Sequence, residues 1–597
     1  MLRSESIKSK TFTRRALVIG GLQTLLFTTL AGRLYQLQVM ESAKFKTLSE
    51  ENRIRIRLIP PLRGRMLDRN GEIIAEDMVN FQLLADPTHL ATKGKLPPEL
   101  KDILSLTNSE YSRILKKFHN SNGVELVSLM EYMEWDKIAH VSMNRPELAG
   151  IEIGEGQLRR YNFSEITCHF TGYVGRVSEK DDRSNPLLRL PDFKIGKTGI
   201  EKVAELDLRG TAGVKKQEVN AHGIVIRELD RDESKPGDDL KLAIDMNLQR
   251  YAASQMGENT GAVVVLNVNN GEVLTYLSMP GYDSNIFSRS IPVDYWKELQ
   301  NNRNPLINKP IAGLYPPGST FKMMTGLAGL ESGKVNPATS FFCPGHYDLG
   351  NHRFHCWKRG GHGTVSLKSA LAGSCDTYFY NVGKIAGIDK IAEVCHRFGL
   401  GTPTGIDLDH EKPGLIPDQK WKKQRYGLNW LPGETLNASI GQGYVLTTPV
   451  QLALMTAMIA NGGKRIIPSL RQVGENLQEP EQVDVDANLL QLIQEAMYAT
   501  TNEPGGTAFG KRILKPEFAM AGKTGTAQVK RILRTGSVAI RELKREFRHH
   551  AWYVGYAPYH DPKYAICVLV EHGESGSGTA APIASKVLEK AQEMEIA

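Results

Sequence analysis

The stretch Gly-Leu-Tyr-Pro-Pro-Gly-Ser-Thr-Phe-Lys at 313–322 sets Ser319 and Lys322 three residues apart, ahead of an apolar run with a helical pattern. Spacing i, i+3 puts the hydroxyl and the amine on one face of a helix. A serine at a helix start also has backbone N–H groups and the positive end of the helix dipole beside it, which suits an oxyanion. Lysine becomes a base only when its pKa falls from about 10.4 in water, and burial or a second cation can lower it. Ser-x-x-Lys arises often by chance, however, and by itself reads equally well as a surface helix start.

Two further elements follow in order. "LAGSCDTYFYNVG" supplies Ser374-Cys375-Asp376, and "MAGKTGTAQVK" supplies Lys523-Thr524-Gly525-Thr526. Gly-Lys-Thr-Gly also occurs at 196–199. Neither copy is a phosphate-binding loop, which needs glycine five positions before Gly-Lys-Thr; Pro191 and Glu517 stand there instead. Ile200, Val203, Ala204 and Leu208 follow the first copy at helical spacing, so it is expected to open a helix. Small and β-branched residues surround the second, which reads as a strand closely approached by another backbone or a ligand.

A cysteine and histidine set lies between the first two elements. "FFCPGHYDLGNHRFHCWKRGGHG" holds Cys343, Cys356 and His362, and Cys375 sits inside Ser-x-Asp. Three thiolates and one imidazole make a closed tetrahedral set of the structural-zinc type. His352 and His355 are rival ligands, and a Cys343–Cys356 disulfide is the competing reading for an exported domain. Cys168, Cys395 and Cys567 read as packed thiols.

These residues need scaffolding. Arg53 to Leu58 alternates basic and apolar residues and reads as a half-buried strand. Asn70-Gly71 marks a tight hairpin turn, and residues 97–150 look mostly helical, with "PPELKDILSL" as an amphipathic start. "RDESKPGDD" at 231–239 is turn-rich and reads as a domain boundary. Beyond it lie a helical pattern ("DMNLQRYAASQM"), a strand–turn–strand ("GAVVVLNVNNGEVLTYLSM"), two strands joined by a turn ("AWYVGYAPYHDPKYAICVLVEHG") and a closing helix ("PIASKVLEKAQEME"). The basic stretch Lys530 to His550 reads as a long solvated loop, with contact to anionic lipid as a second reading; His572 is not expected to be catalytic.

At 597 residues the chain has room for more than one domain, and 41% apolar and 23% charged residues fit a globular protein. A net charge of +8 spread along the chain argues against a nucleic-acid binder. Residues 1–15 carry five cations and one acid; an uncharged run, Ala16 to Gly32, follows, and the apolar pattern continues to Val39. That is roughly the twenty residues a spanning helix needs. It reads as an uncleaved signal anchor with a cytoplasmic N-terminus rather than a cleaved signal peptide. No second apolar stretch of that length appears, so the remaining chain is expected on one side of the membrane.

The ordered set S-x-x-K, S-x-D, K-T-G resembles that of the penicillin-binding proteins and class A β-lactamases, whose middle element is S-D-N. Taken with "RGRMLDRNGEIIA", "IGKTGIEKVAELDLRG" and "SIGQGYVLTTPVQLA", the chain resembles the class B, monofunctional penicillin-binding proteins over nearly its whole length, and within them the rod-elongation branch, to which Ser-x-Asp is similar. The resemblance implies an α+β protein. A cytoplasmic tail (1–15) and a transmembrane anchor (16–39) would precede an elongated mixed α/β pedestal of the dimerisation type (40–232), which holds the first Gly-Lys-Thr-Gly. A transpeptidase domain (233–597) with an antiparallel sheet flanked by helices would follow. It implies Ser319 as the acylated nucleophile and Lys322 as the group that takes its proton. Ser374 would relay a proton to departing D-alanine, oriented by Asp376 and Lys523. Thr524, Gly525 and Thr526 would line the substrate, both threonines binding its terminal carboxylate, and the N–H groups of Ser319 and Thr526 would form the oxyanion hole. One structural zinc per chain is implied on Cys343, Cys356, His362 and Cys375, because a metal beside the active site is known in that branch. The implied location is the inner membrane, single-pass, with the bulk of the chain periplasmic. The implied partners are D-Ala-D-Ala stem peptides, β-lactams, a SEDS-type (RodA-like) glycosyltransferase and other elongation-complex membrane proteins, and no nucleic acid.

The expected activity is therefore peptidoglycan D,D-transpeptidation in two acyl-transfer half-steps. Competing readings are a division-specific class B enzyme, opposed by the Cys/His set and Ser-x-Asp; a β-lactamase or sensor, opposed by the large pedestal; and a scaffold activating a glycosyltransferase, opposed by the intact catalytic set.

Overall fold

A computed structural model describes residues 2–41, 54–90, 96–120, 127–144, 148, 150–178, 181, 184–190, 193–219, 225–289, 291–474, 480–528 and 544–596. Most of the basic stretch after Lys530 lies outside these residues. Helix α1 (Leu2–Tyr35) contains the apolar segment, and a span of 27 residues, Arg14–Met40, is long and apolar enough to cross a bilayer, with none of its apolar window buried.

The chain divides into two compact units. One comprises 1–61, 81–154 and 211–235. Here the alternating stretch forms strand Ile54–Ile59, which pairs with Gly213–Val219, itself paired with Val225–Asp232. Helix Asn108–His119 opens on a capping box, with Glu110 N–H donating to Thr107 Oγ1 and Thr107 N–H to Glu110. Leu83, Leu100, Leu104, Ile114, Leu129 and Val141 form its core. The amphipathic start at 97 yields only one helical turn, Leu100–Ile103, and within the expected helical stretch Val127–Met130 is a strand paired with Leu83–Ala85. Four residues of Val-Ser-Leu-Met are too short for periodicity to separate strand from helix, and a pairing partner decides.

The second unit comprises 62–80, 155–210 and 236–597. Its hairpin turns at Gly71, φ +90°, where Asp68 Oδ1 accepts the N–H groups of Asn70 and Glu72. The first Gly-Lys-Thr-Gly joins strand Lys194–Gly196 to helix Gly199–Val203. That helix carries the fully buried Glu201, which binds Arg63 Nε at 2.5 Å and Arg159 Nε at 2.7 Å. Burial pushes the Glu201 carboxyl up, and the two guanidiniums outweigh it and hold it below its ordinary value. Glu201→Gln leaves two buried guanidiniums short of charge. It is expected to cost about 3–5 kcal/mol, seen as an earlier thermal transition; an unchanged midpoint would contradict this.

The unit's central antiparallel sheet is built from β1 (Gly261–Asn267), β2 (Val273–Met279), β3 (Ala521–Ala527), β4 (His550–Ala557) and β5 (Tyr564–Val570), in the order β2-β1-β5-β4-β3. Alternate residues enter two cores. Val264, Leu266, Trp552, Val554 and Leu569 join one; Val263, Val265, Tyr553, Ile566 and Val568 join the other. Burial on both faces explains why these strands read as unbroken apolar runs. Four helices matter for the site: α2 (Lys322–Glu331), α3 (Asp376–Ala386), α4 (Gln419–Tyr426) and α5 (Pro449–Ala460). Every residue of α5 is buried; its surface is apolar except for Gln451, whose Nε2 donates to Thr402 O and Pro413 O, and Thr456, whose Oγ1 donates to Leu452 O.

Candidate active site and adjoining cysteine–histidine cluster

Ser319 lies in a 3-10 turn, Gly318–Phe321, that runs directly into α2, whose first residue is Lys322. Two glycines place this turn. Gly318 has φ +56°, and a Cβ there would stand 2.8 Å from Thr526 O; a Cβ on Gly441 would stand 2.3 Å from Gly318 O. Gly318 N–H donates to Gly441 O at 3.0 Å. The Ser319 turn is thus wedged between the edge strand β3 and the segment 439–447. On β3, Gly525 allows the same approach from the other side, since a Cβ would meet Pro317 O at 3.0 Å.

Lys322 Nζ is fully buried and donates to Asp376 Oδ1 at 2.7 Å, Ser374 O at 2.9 Å and Ser374 Oγ at 3.2 Å. Ser374 has φ +56°, a left-handed conformation uncommon for a residue with a side chain. Asp376 opens α3, and its second oxygen accepts Trp357 N–H at 2.8 Å. The indole Nε1 of Trp357 donates to Ser374 O at 3.0 Å, the carbonyl that Lys322 also uses. Lys523 is buried on β3 and donates to Thr524 O at 3.0 Å. Burial, then the charge of Lys322, pushes the Lys523 ammonium well below its ordinary pKa. Thr524 Oγ1 lies 2.6 Å from Thr507 Oγ1, and Thr526 is the exposed side chain of the strand. Lys322, Lys523, the Ser374 hydroxyl and the Asp376 carboxylate converge at the start of α2, directly after the turn that carries Ser319, an arrangement able to move protons between a serine nucleophile and a leaving group.

The described cysteines are all free thiols, so Cys343 and Cys356 form no disulfide here. Cys343, Cys356, His362 and Cys375 bring their ligand atoms within 4.8 Å of one another; His352 and His355 fall on an outer hairpin strand instead. His362 Nδ1 lies 3.6 Å from Cys343 Sγ and 3.5 Å from Cys356 Sγ. A tetrahedral zinc with Zn–S about 2.3 Å and Zn–N about 2.0 Å has S···N edges of about 3.5 Å, so the set fits the ion. His362 Nε2 lies 3.2 Å from Gly373 O, a bond that leaves Nδ1 free to ligate. A hydrogen bond from Cys375 holds the Cys356 thiol below its ordinary pKa, and the same bond pushes Cys375 up.

Sequence reasoning did not single out Trp357, Thr507 or the Gly318–Gly441 clasp. Trp357 directly follows Cys356, and that adjacency is the one signal in the sequence for it. The first Gly-Lys-Thr-Gly is elsewhere: Lys197 pairs with Asp181 at 2.6 Å, partly in solvent. Such a pair contributes about 0–1 kcal/mol. Lys197→Ala is therefore expected to leave penicillin acylation within about twofold, and a large loss would tie this copy to the chemistry.

Residues 261–589 match the penicillin binding protein transpeptidase domain, and residues 58–242 the penicillin-binding protein dimerisation domain. The chain is 34% identical to peptidoglycan D,D-transpeptidase MrdA of Haemophilus influenzae, covering 98% of this chain and 93% of that one. It is 32% identical to the protein of the same name in Escherichia coli K12, covering 96% and 93%. Among solved structures it resembles Helicobacter pylori PBP2 in a complex with MreC, with a TM-score of 0.79, 31% identity, and 91% and 99% of the chains covered. It also resembles Pseudomonas aeruginosa PBP2 in complex with WCK 5153, with a TM-score of 0.68, 32% identity, and 90% and 96% covered.

Proposed function

The chain belongs to the class B penicillin-binding proteins of the PBP2 type, peptidoglycan D,D-transpeptidases of rod elongation, and on that premise we propose how its residues divide the reaction. Ser319 Oγ attacks the D-Ala-D-Ala carbonyl and forms an ester, and the bond to the terminal D-alanine breaks. Lys322, one helical turn along, takes the serine proton. Ser374 Oγ, 3.2 Å from that lysine, carries a proton to the departing amine. An amine of a second strand then attacks the ester by the reverse path and restores Ser319. Asp376 keeps Lys322 in place through its 2.7 Å contact. Thr524 and Thr526 receive the substrate carboxylate along β3, with Gly525 admitting close approach. The N–H groups of Ser319 and Thr526 stabilise the tetrahedral oxyanion. The observation that carries this reading is the convergence of Lys322 with both Ser374 and Asp376.

Cys343, Cys356, His362 and Cys375 would hold one zinc ion, and the donor spacing above supports it. The ion would supply structure and no reaction step. Its ligands would fix the loop from which Trp357 N–H reaches Asp376. Metal analysis of the purified chain is expected to give one zinc; a metal-free native protein would refute the site.

The anchor would leave residues 1–15 cytoplasmic and the bulk of the chain periplasmic, as the basic head suggests. A C-terminal alkaline phosphatase fusion should be active, and an inactive one would reverse the orientation. A SEDS-type glycosyltransferase is the proposed membrane partner. Co-purification should be lost when residues 16–39 are exchanged for an unrelated span, and its survival would remove the anchor from that contact.

Incubation with pentapeptide-bearing glycan strands tests the activity. Release of D-alanine with formation of cross-linked dimers is expected. Penicillin labelling without D-alanine release would favour the scaffold reading instead.

A further inference from the structure

Helix α4, the loop after it and the segment that follows helix Pro432–Ser439 carry a cluster that the acyl-transfer chemistry does not use. Tyr444 is its hub, with ring centroids 5.2 Å from Trp421, 5.9 Å from Tyr426 and 6.4 Å from Trp430. The cluster is anchored from below. The buried Lys422 pairs with Glu434, and Trp430 Nε1 donates to Thr435 Oγ1 at 2.8 Å. Its outer side is unpartnered: Tyr426 is 51% exposed, Leu428 60% and Leu431 59%. Around these rings Lys420, Lys423 and Arg425 are all exposed. Two acids lie beside the start of α4, and both are engaged: Asp418 caps it through Trp421 N–H, and Asp389 accepts Gln419 N–H and Nε2. Exposed apolar surface rimmed by polar residues marks a binding surface.

Its position says for what. Tyr444 is three residues from Gly441, whose carbonyl holds Gly318 beside the nucleophile. Three residues span at most about 11 Å, and an extended five-residue stem peptide at most about 17 Å. With its terminal carbonyl at Ser319, a stem peptide therefore brings its sugar end within reach of these rings. Tryptophan and tyrosine pair an apolar face with a polar handle, which suits the C–H faces and hydroxyls of pyranose rings. The three cations complement the carboxylates that stem peptides carry.

We propose that the Trp421–Tyr426–Tyr444 platform is a subsite for the glycan strand bearing the donor stem peptide, with Lys420, Lys423 and Arg425 meeting the anionic peptide. The proposal rests on the transpeptidase reading above. It is tested on the detergent-solubilised full chain by comparing the wild type with a Tyr426→Ala/Arg425→Glu double variant. The probes are uncross-linked glycan strands with pentapeptides, the same pentapeptide without sugar, glycan stripped of peptide, and phosphatidylglycerol vesicles. The wild type is expected to bind the peptide-bearing glycan at least tenfold more tightly than the free pentapeptide. The double variant should lose that gain and the binding of stripped glycan, while fluorescent penicillin still labels it to within twofold, which reports an intact fold. Should the double variant lose labelling, Tyr426→Ala alone serves, with the same loss of glycan preference expected. Equal binding of glycan and free peptide by the wild type would overturn the proposal. So would a variant that keeps its glycan preference, or one that loses only vesicle binding, which would assign the platform to lipid. Failure of penicillin to acylate the wild type would instead defeat the transpeptidase reading, and the stripped-glycan comparison would still be readable.

Discussion

Lys322→Ala is expected to lower the rate of penicillin acylation by about 10³-fold or more, because it removes the proposed proton acceptor of a unit that works together. The structure sharpens the expectation. Lys322 Nζ is the only lysine amine within hydrogen-bond distance of both Ser374 and Asp376 among the described residues. Its loss leaves the Asp376 carboxylate largely buried, with Trp357 N–H as its remaining partner among the described residues. Lys322→Arg should not rescue the activity, since a guanidinium stays protonated and its planar fork does not fit a point contact at 2.7 Å. A stopped-flow acylation assay beside a thermal melt checks this. Near-wild-type acylation by either variant would move the base elsewhere, with Lys523 the first candidate because burial, which both variants keep, lowers its pKa.

Cys375→Ala carries the second large effect. Cys375 belongs to the cysteine–histidine cluster and stands between Ser374 and Asp376. Its removal should release the proposed metal and loosen the segment that presents both residues to Lys322. Free energy of metal binding is folding free energy, and a loss of a few kcal/mol would lower the melting midpoint by about 5 °C or more. Acylation should fall about tenfold or more, because α3 starts at Asp376 and the Trp357 loop would no longer be fixed against it. Cys395→Ala is the control, as that thiol is buried apart from the cluster. A Cys375→Ala protein with an unchanged midpoint and unchanged acylation would show that the cluster does not support the site.

What could be read from the sequence depended on how local each signal was. Ser319 and Lys322, Ser374 and Asp376, and Lys523 and Thr524 each sit in a short motif, and the order of three weak motifs singled them out. The ligand types of the cluster were equally visible. The choice of Cys343 over His352 or His355 was not, because it follows from a hairpin that sends those histidines outward. The clasp of Gly318 by Gly441 was hidden for the same reason: 123 residues separate them in sequence, and neither glycine stands out alone. Glu201 could be placed on a helix after the first Gly-Lys-Thr-Gly, but its partners Arg63 and Arg159 lie 138 and 42 residues away. The strand at Val127–Met130 was lost inside a helical stretch because only its pairing with Leu83–Ala85 defines it.

The central claim is that Ser319 is the acylated residue. The most direct measurement is labelling of the purified full chain with a fluorescent penicillin, comparing wild type with Ser319→Ala at matched thermal stability. The wild type should take up one label per chain, on the peptide containing Ser319, and Ser319→Ala should take up none. Undiminished labelling of Ser319→Ala would contradict the account.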